Sequence, residues 1–160
     1  MSKTHSGRRV SFLCDQNLGR LARWLRILGF DTEYMHRWDP GKIEQARVSG
    51  RVVLTRRRDF AGDPNSLVLE SDYLKDQLTS LDKHLNLGEM LNPYSRCSVC
   101  NTPLKCATPH DVKDLVPEYV GTTSDTFARC PRCMRIYWKG THAKRAQDFI
   151  RSVFPDWGEA

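Results

Sequence analysis

Two pairs of cysteines carry the clearest chemistry in this 160-residue chain. Cys97 and Cys100 form one CxxC pair, and Cys130 and Cys133 form another, with 29 residues between the pairs. A CxxC turn aims two sulfurs at one point, and zinc takes four tetrahedral ligands among which thiolates suit it well. The pattern therefore points to one Zn²⁺ held by all four. Four thiolates close the coordination shell and leave no position for water or substrate, so the ion is expected to be structural. No strand–CxxC–helix pattern surrounds either pair, which argues against thioredoxin-like redox use. Cys106, six residues after Cys100, reads as a free and half-buried thiol. Cys14, inside an apolar run, reads as plain core.

Carboxylates suggest a second chemistry. Asp15 ends a short apolar, β-leaning run at residues 10–14, and Asp59 follows a clearer one at 51–55. Asp39 opens the helix between them. In open parallel sheets, ligands bind beyond the carboxyl ends of the strands. Oxygen ligands gathered there suit Mg²⁺ or Mn²⁺, and such an ion can activate water and stabilise in-line displacement at phosphorus. Plainer readings stand beside this one: Asp39 as a helix cap, Asp59 as a turn residue, Asp15 as a strand end.

Basic and aromatic residues could supply the contacts to a polyanion. Arg20 and Arg23, with Arg26, flank the apolar face of the first helix. Arg56, Arg57 and Arg58 run straight into Asp59, and three consecutive arginines cannot share one face. Around the second cysteine pair, Arg129, Arg132, Arg135 and Lys139 interleave with Tyr137 and Trp138. Guanidinium groups meet phosphates while aromatic rings stack on unpaired bases. Tyr137 reads more naturally as part of a small core around the metal.

These residues need a scaffold, and the hydrophobic pattern supplies one. Leu18, Leu21, Ala22, Leu25 and Leu28 recur at helical spacing, and Gly29 stops the helix. A second strand is expected at 30–34. Asp39-Pro40 reads as an N-cap with proline at the first helical position, with Ile43 and Ala46 facing inward and Gly50 as the end. A weaker fourth strand falls at 66–69, and Tyr73, Leu74, Gln77, Leu78, Leu81 and Leu85 suit a further helix. Strands alternating with helices predict an α/β fold with a parallel sheet. Asn92-Pro93 marks a boundary, beyond which a β-rich, cysteine-bearing segment is expected. A last helix, over 142–153, turns Ala143, Ala146, Phe149, Ile150 and Val153 inward.

Composition is consistent with a folded, polyanion-binding protein. The chain is 39% hydrophobic and 28% charged, with a net charge of +6. Residues 93–145 hold 9 Lys/Arg against 4 Asp/Glu, so positive charge concentrates there. A basic segment favours polyanions, nucleic acid above all. No apolar run approaches the roughly 18 residues of a membrane span. The polar, basic start at residues 1–9 lacks the apolar core of a secretory signal, so a cytoplasmic location is expected.

Taken together, CDQNLGRLARWLRILGFD, RVVLT, RCSVCNTPL and FARCPRCMRIYWKGTH resemble the Mut-seven C-terminal RNase domain family, over about residues 10–145. The resemblance implies a PIN-like nuclease sheet flanked by helices (8–92), a zinc ribbon (93–145), and a C-terminal helix and tail (146–160). It implies that Asp15 matches the acid ending the first strand and Asp39 the acid opening the later helix. The family has Thr-Arg-Asp after the third strand, whereas this chain reads Thr55-Arg56-Arg57, with Asp59 two residues on. A guanidinium in that pocket would repel a divalent ion and hold phosphate instead.

Three expectations follow. The first is a metal-dependent ribonuclease with Asp15, Asp39 and Asp59 as ligands for Mg²⁺ or Mn²⁺, and with RNA contacts from Arg20, Arg23, Arg57, Arg132, Arg135, Trp138 and Lys139. The second is a non-catalytic RNA-binding protein with a degenerate site, signalled by Arg57. The third is a zinc-stabilised protein-interaction module.

Overall fold

A computed structural model describes residues 9–158, so the polar start at 1–8 and the end of the tail lie outside it. The first part of the chain alternates strand and helix: β1 (Phe12–Cys14), α1 (Gly19–Ile27), β2 (Thr32–Tyr34), α2 (Pro40–Ser49), β3 (Val52–Thr55), β4 (Ser66–Val68) and α3 (Leu74–Leu85). The four strands form one parallel sheet in the order β2-β1-β3-β4. Period-two alternation divides their side chains between two faces. Phe12, Cys14 and Leu54 join Leu21, Leu25, Leu78 and Leu81 on one side, the side of α1 and α3. Leu13 and Val53 join Met35, Ile43 and Ala46 on the other, under α2.

Local signals set the helix limits. The Asp39 carboxylate caps α2, Pro40 occupies its first turn, and Gly50 ends it in the left-handed region at φ 77°. Gly29 follows α1 at φ 96°, where a Cβ would lie 2.3 Å from the Asn92 carbonyl oxygen. That close approach has a cause: the backbone N–H groups of Asn92 and Tyr94 bond the carbonyls of Leu28 and Ile27. The crossing boundary segment thus satisfies carbonyls that the end of α1 leaves orphaned. Tyr73, expected on the inner face of α3, instead precedes its first turn and is 75% exposed.

Beyond the boundary come β5 (Lys105–Ala107), α4 (Pro109–Val112), α5 (Glu118–Thr123), β6 (Phe127–Arg129) and β7 (Ile136–Trp138). The strands form a separate antiparallel sheet, β5-β6-β7. The segment between the cysteine pairs is less β-rich than expected, because α4 and α5 pack Val112 and Val120 against Phe127 as its own small core. The final helix, α6 (Thr141–Val153), leaves this module and returns to the first one. Its Ile150 and Val153, with Phe154, enter the core of α1 and α3, and Phe149 lies against Trp24 with ring centroids 4.6 Å apart. The cysteine-bearing module is therefore inserted between α3 and a helix that completes the parallel α/β layer. Among the described residues no helix is long and apolar enough to cross a membrane.

Candidate active site and metal centre

The strand order itself points to a crevice. From β1 the chain moves to β2 on one side, then crosses to β3 on the other, so the winding of the chain reverses between β1 and β3. Ligands of wound parallel sheets bind at the carboxyl ends flanking such a reversal. Asp15 and Thr55 stand there. Asp15 is only 2% exposed, and Thr55 is buried. Asp15 Oδ2 accepts from the Thr55 hydroxyl at 2.9 Å, and Oδ1 accepts from the Gln16 N–H at 2.6 Å. The Thr55 hydroxyl accepts in turn from the Arg57 N–H at 3.1 Å. A buried polar group is costly unless bonded, and this relay fixes the carboxylate while tying it to the backbone after β3.

The other two acids border the same rim without closing on Asp15. Asp39 is exposed, and its Oδ1 accepts from the N–H groups of Gly41 and Lys42 at 2.9 and 3.4 Å. Its helix-cap role is therefore observed. Asp59 is exposed in a short 3₁₀ turn, Arg58–Phe60. The rim is knit by other groups. Gln16 accepts from the Trp38 N–H through its side chain and from the Tyr34 hydroxyl through its carbonyl. Arg57, standing where the third acid was expected, lays its guanidinium over the Trp38 ring at 3.6 Å. Phe60 meets the same indole edge-on. Arg56 turns away to the carboxylate of Asp72. A rim of this kind presents one buried carboxylate and a clamped cation, not a ready-made oxygen cage for a divalent ion.

The cysteines do converge. The four Sγ atoms of Cys97, Cys100, Cys130 and Cys133 lie within 4.8 Å of one another, and among the described residues no other group of three or more potential ligands closes this way. Cys97 and Cys133 sulfurs are 3.6 Å apart, and those of Cys100 and Cys130 are 3.2 Å apart. A tetrahedral ion with Zn–S near 2.3 Å needs sulfurs roughly 3.8 Å apart, so the donor set fits. Each pair closes with the same turn: Asn101 N–H bonds the Cys97 carbonyl and Met134 N–H bonds the Cys130 carbonyl, both at 2.9 Å. The residue after each pair is left-handed, Asn101 and Met134 both at φ 65°. Asparagine tolerates that region; methionine there costs of order 1–2 kcal/mol.

The sulfur environment favours a cation. Burial opposes ionising Cys100, but hydrogen bonds from Thr102 and the neighbouring sulfurs lower it to about 6. Burial likewise opposes Cys97, and the Tyr137 hydroxyl, 3.0 Å from its sulfur, helps to lower it. For Cys133 a backbone hydrogen bond at Arg135 lowers the thiol, while burial and the three crowding sulfurs push it up to about 11. Four thiolates in contact repel one another, and a central cation removes that conflict. Tyr137 sits at this centre, as the sequence suggested. Cys106 lies outside it and is exposed rather than half-buried, whereas Cys14 is fully buried.

Two side chains absent from the sequence-based list dock the first cysteine turn on the parallel layer. Arg26 donates to the carbonyls of Thr32, Ser98 and Val99. Asn101 donates to Asp31 at 2.7 Å and accepts from the Thr32 N–H at 3.0 Å. The periodicity of α1 placed Arg26 beside the apolar stripe, but only tertiary structure tells which carbonyls it meets. The remaining basic candidates divide. Arg20 and Arg132 are exposed. Arg23, Arg135 and Trp138 line one cavity, and Lys139 lines a second on the other side of Trp138.

A wound parallel sheet with a buried acid at its point of reversal, carrying an insertion whose four cysteines cluster closely enough to hold a metal, defines an α/β protein. The chain belongs to the Mut7-C RNAse domain family, whose model matches residues 10–150. That membership assigns it a ribonuclease-like character. Comparison with curated proteins and with solved structures gives no match.

Proposed function

We propose that this protein binds RNA and hydrolyses its phosphodiester bonds at the crevice between β1 and β3, in a reaction that requires Mg²⁺ or Mn²⁺. The carrying observation is Asp15, a buried carboxylate fixed by Thr55 and Gln16 where the winding reverses. Family membership and the basic insertion support RNA as substrate. A divalent ion, when bound, supplies an activated water and neutralises charge developing on phosphorus. Asp15 is the residue to hold it. Asp39 and Asp59 are the other carboxylates of the rim, and Asp39 caps α2 through Oδ1 alone, which leaves its Oδ2 for a metal. The four cysteines hold structural zinc, and the ribbon at 93–145 helps to bind RNA for a nuclease domain at 8–92. The test is a labelled RNA incubated with Mn²⁺ or Mg²⁺, beside Asp15→Asn and Asp59→Asn. Loss of cleavage in Asp15→Asn supports the reading. Undiminished cleavage in both variants marks a contaminating nuclease and sinks it.

A specific observation favours a second reading, RNA binding without cleavage. Arg57 is locked on Trp38 beside the Asp15–Thr55 relay, and the acids do not converge. In this reading Arg57 holds a phosphate. Arg57→Asp then restores metal binding or raises cleavage, and no change in either places Arg57 outside the pocket.

A further inference from the structure

A cavity of about 480 Å³ lies between α1 and the ribbon, remote from the β1–β3 crevice in sequence and built by different elements. Arg23 enters it from α1, one helical turn before the Arg26 that latches the cysteine turn. Arg129 enters from β6 and Arg135 from the second cysteine turn. Among the described residues none of these three guanidinium groups has a hydrogen bond or ion pair, and the Nε of Arg129 is shielded from solvent without a partner. Arg23 and Arg135 are exposed, Arg129 is half-buried with the Asp111 carboxylate as a charged neighbour, and the excess of positive charge around one cavity favours an anion.

Part of the lining is apolar. Val99, Met134 and Trp138 line the cavity and are 50%, 49% and 37% exposed. Met134 holds the strained position after the second cysteine pair, where glycine would be free of strain. Local strain kept by a bulky, exposed side chain points to a use for that side chain. Gly140 leaves room for Trp138, since a Cβ there would come within 3.3 Å of the indole nitrogen. The cavity is an open depression, of a size to seat one small ligand while leaving part of it in solvent.

We propose that this cavity is a nucleotide subsite, which takes one unpaired RNA residue with its base against Met134 and Trp138 and its phosphates on Arg23, Arg129 and Arg135. The proposal rests on the RNA reading above and adds a preference to it: single strands, whose bases can be splayed out, over duplex. It also gives the ribbon a direct part in recognition, independent of whether the crevice cleaves.

The experiment measures anisotropy of a fluorescein-labelled single-stranded RNA octamer, its duplex, and competition by inorganic polyphosphate, using the full-length zinc-loaded chain. Trp138→Ala is expected to weaken single-strand binding about ten-fold, the size of one lost stacking contact. Met134→Gly relieves backbone strain while removing the apolar wall, so it is expected to weaken binding about three-fold with an unchanged or higher melting temperature. Duplex binding and polyphosphate competition should scarcely change in either variant. Wild-type affinity for single strands in both variants overturns the subsite and leaves RNA binding standing. Equal losses for single strand, duplex and polyphosphate overturn base recognition. A wild-type protein that binds no RNA at low salt overturns both readings together.

Discussion

The cysteine centre and the strand-end rim are built on opposite plans. In the centre, four side chains from two separate turns meet within 4.8 Å, and all four sulfurs can face one ion. At the rim, one carboxylate is buried and fixed, a second caps a helix, and a third stands exposed on a turn. In the first arrangement the sulfurs are grouped as a single ion would hold them, and the metal would balance their charge. The second must either rearrange for a metal or work without one. The difference separates what the two sites can be asked to do: the centre suits a structural metal, while the rim is where RNA chemistry is to be sought.

The largest expected effect lies at the centre. Structural zinc contributes roughly 10–16 kcal/mol to modules of this kind, comparable to the whole stability of an ordinary domain. Cys130→Ser, or chelation, should therefore unfold the ribbon, and metal analysis of the intact protein should find about one zinc per chain. The loss should spread along the docking contacts. Arg26 and Asn101 tie the first cysteine turn to α1 and β2, so faster amide exchange is expected at Thr32 while α2, under the other face, stays protected. A zinc-free protein with full ribbon structure would remove the contrast between the two sites.

A smaller effect is expected at the rim. Thr55→Val keeps shape but leaves an oxygen of Asp15 and the Arg57 N–H without their shared partner. Unmade buried hydrogen bonds cost about 1–3 kcal/mol, a few degrees of melting temperature in a chain of this size. If Asp15 is the essential carboxylate, cleavage should fall further than stability explains, since its oxygens lose their fixed direction. Unaltered cleavage at saturating metal would show that the relay serves folding alone.

The centre was legible in the sequence and the rim only in part, for a physical reason. A CxxC turn is local: the spacing alone sets the direction of two sulfurs, and only the pairing of the two turns needs the fold. The same locality made Asp39-Pro40 and Gly50 readable as the limits of α2. The relation of Asp15 to Thr55 depends instead on β1 pairing with β3 across 40 residues. The stack of Arg57 on Trp38 depends on how two loops cross. Tyr73 shows the limit of periodicity itself, since the helical spacing holds but the helix begins one residue later. Arg26 and Arg129 were visible as charges, yet nothing in their spacing revealed that one donates to three carbonyls and the other keeps a buried nitrogen unpaired.

Asp39 offers the finest test of the contrast, because capping and metal binding make different demands on one side chain. A cap needs an oxygen acceptor for the first N–H groups of the helix, and asparagine supplies that as well as aspartate. A divalent ion prefers a carboxylate. Asp39→Ala should cost about 1 kcal/mol by thermal unfolding, whereas Asp39→Asn should cost little. If Asp39 does no more than hold α2, cleavage and its Mn²⁺ dependence should follow stability, and Asp39→Asn should behave as wild type. If Asp39 also reaches the metal, Asp39→Asn should demand more Mn²⁺ at unchanged melting temperature. That split would mean the rim assembles its ligands only when RNA and metal are present, which a buried Asp15 beside two exposed acids allows.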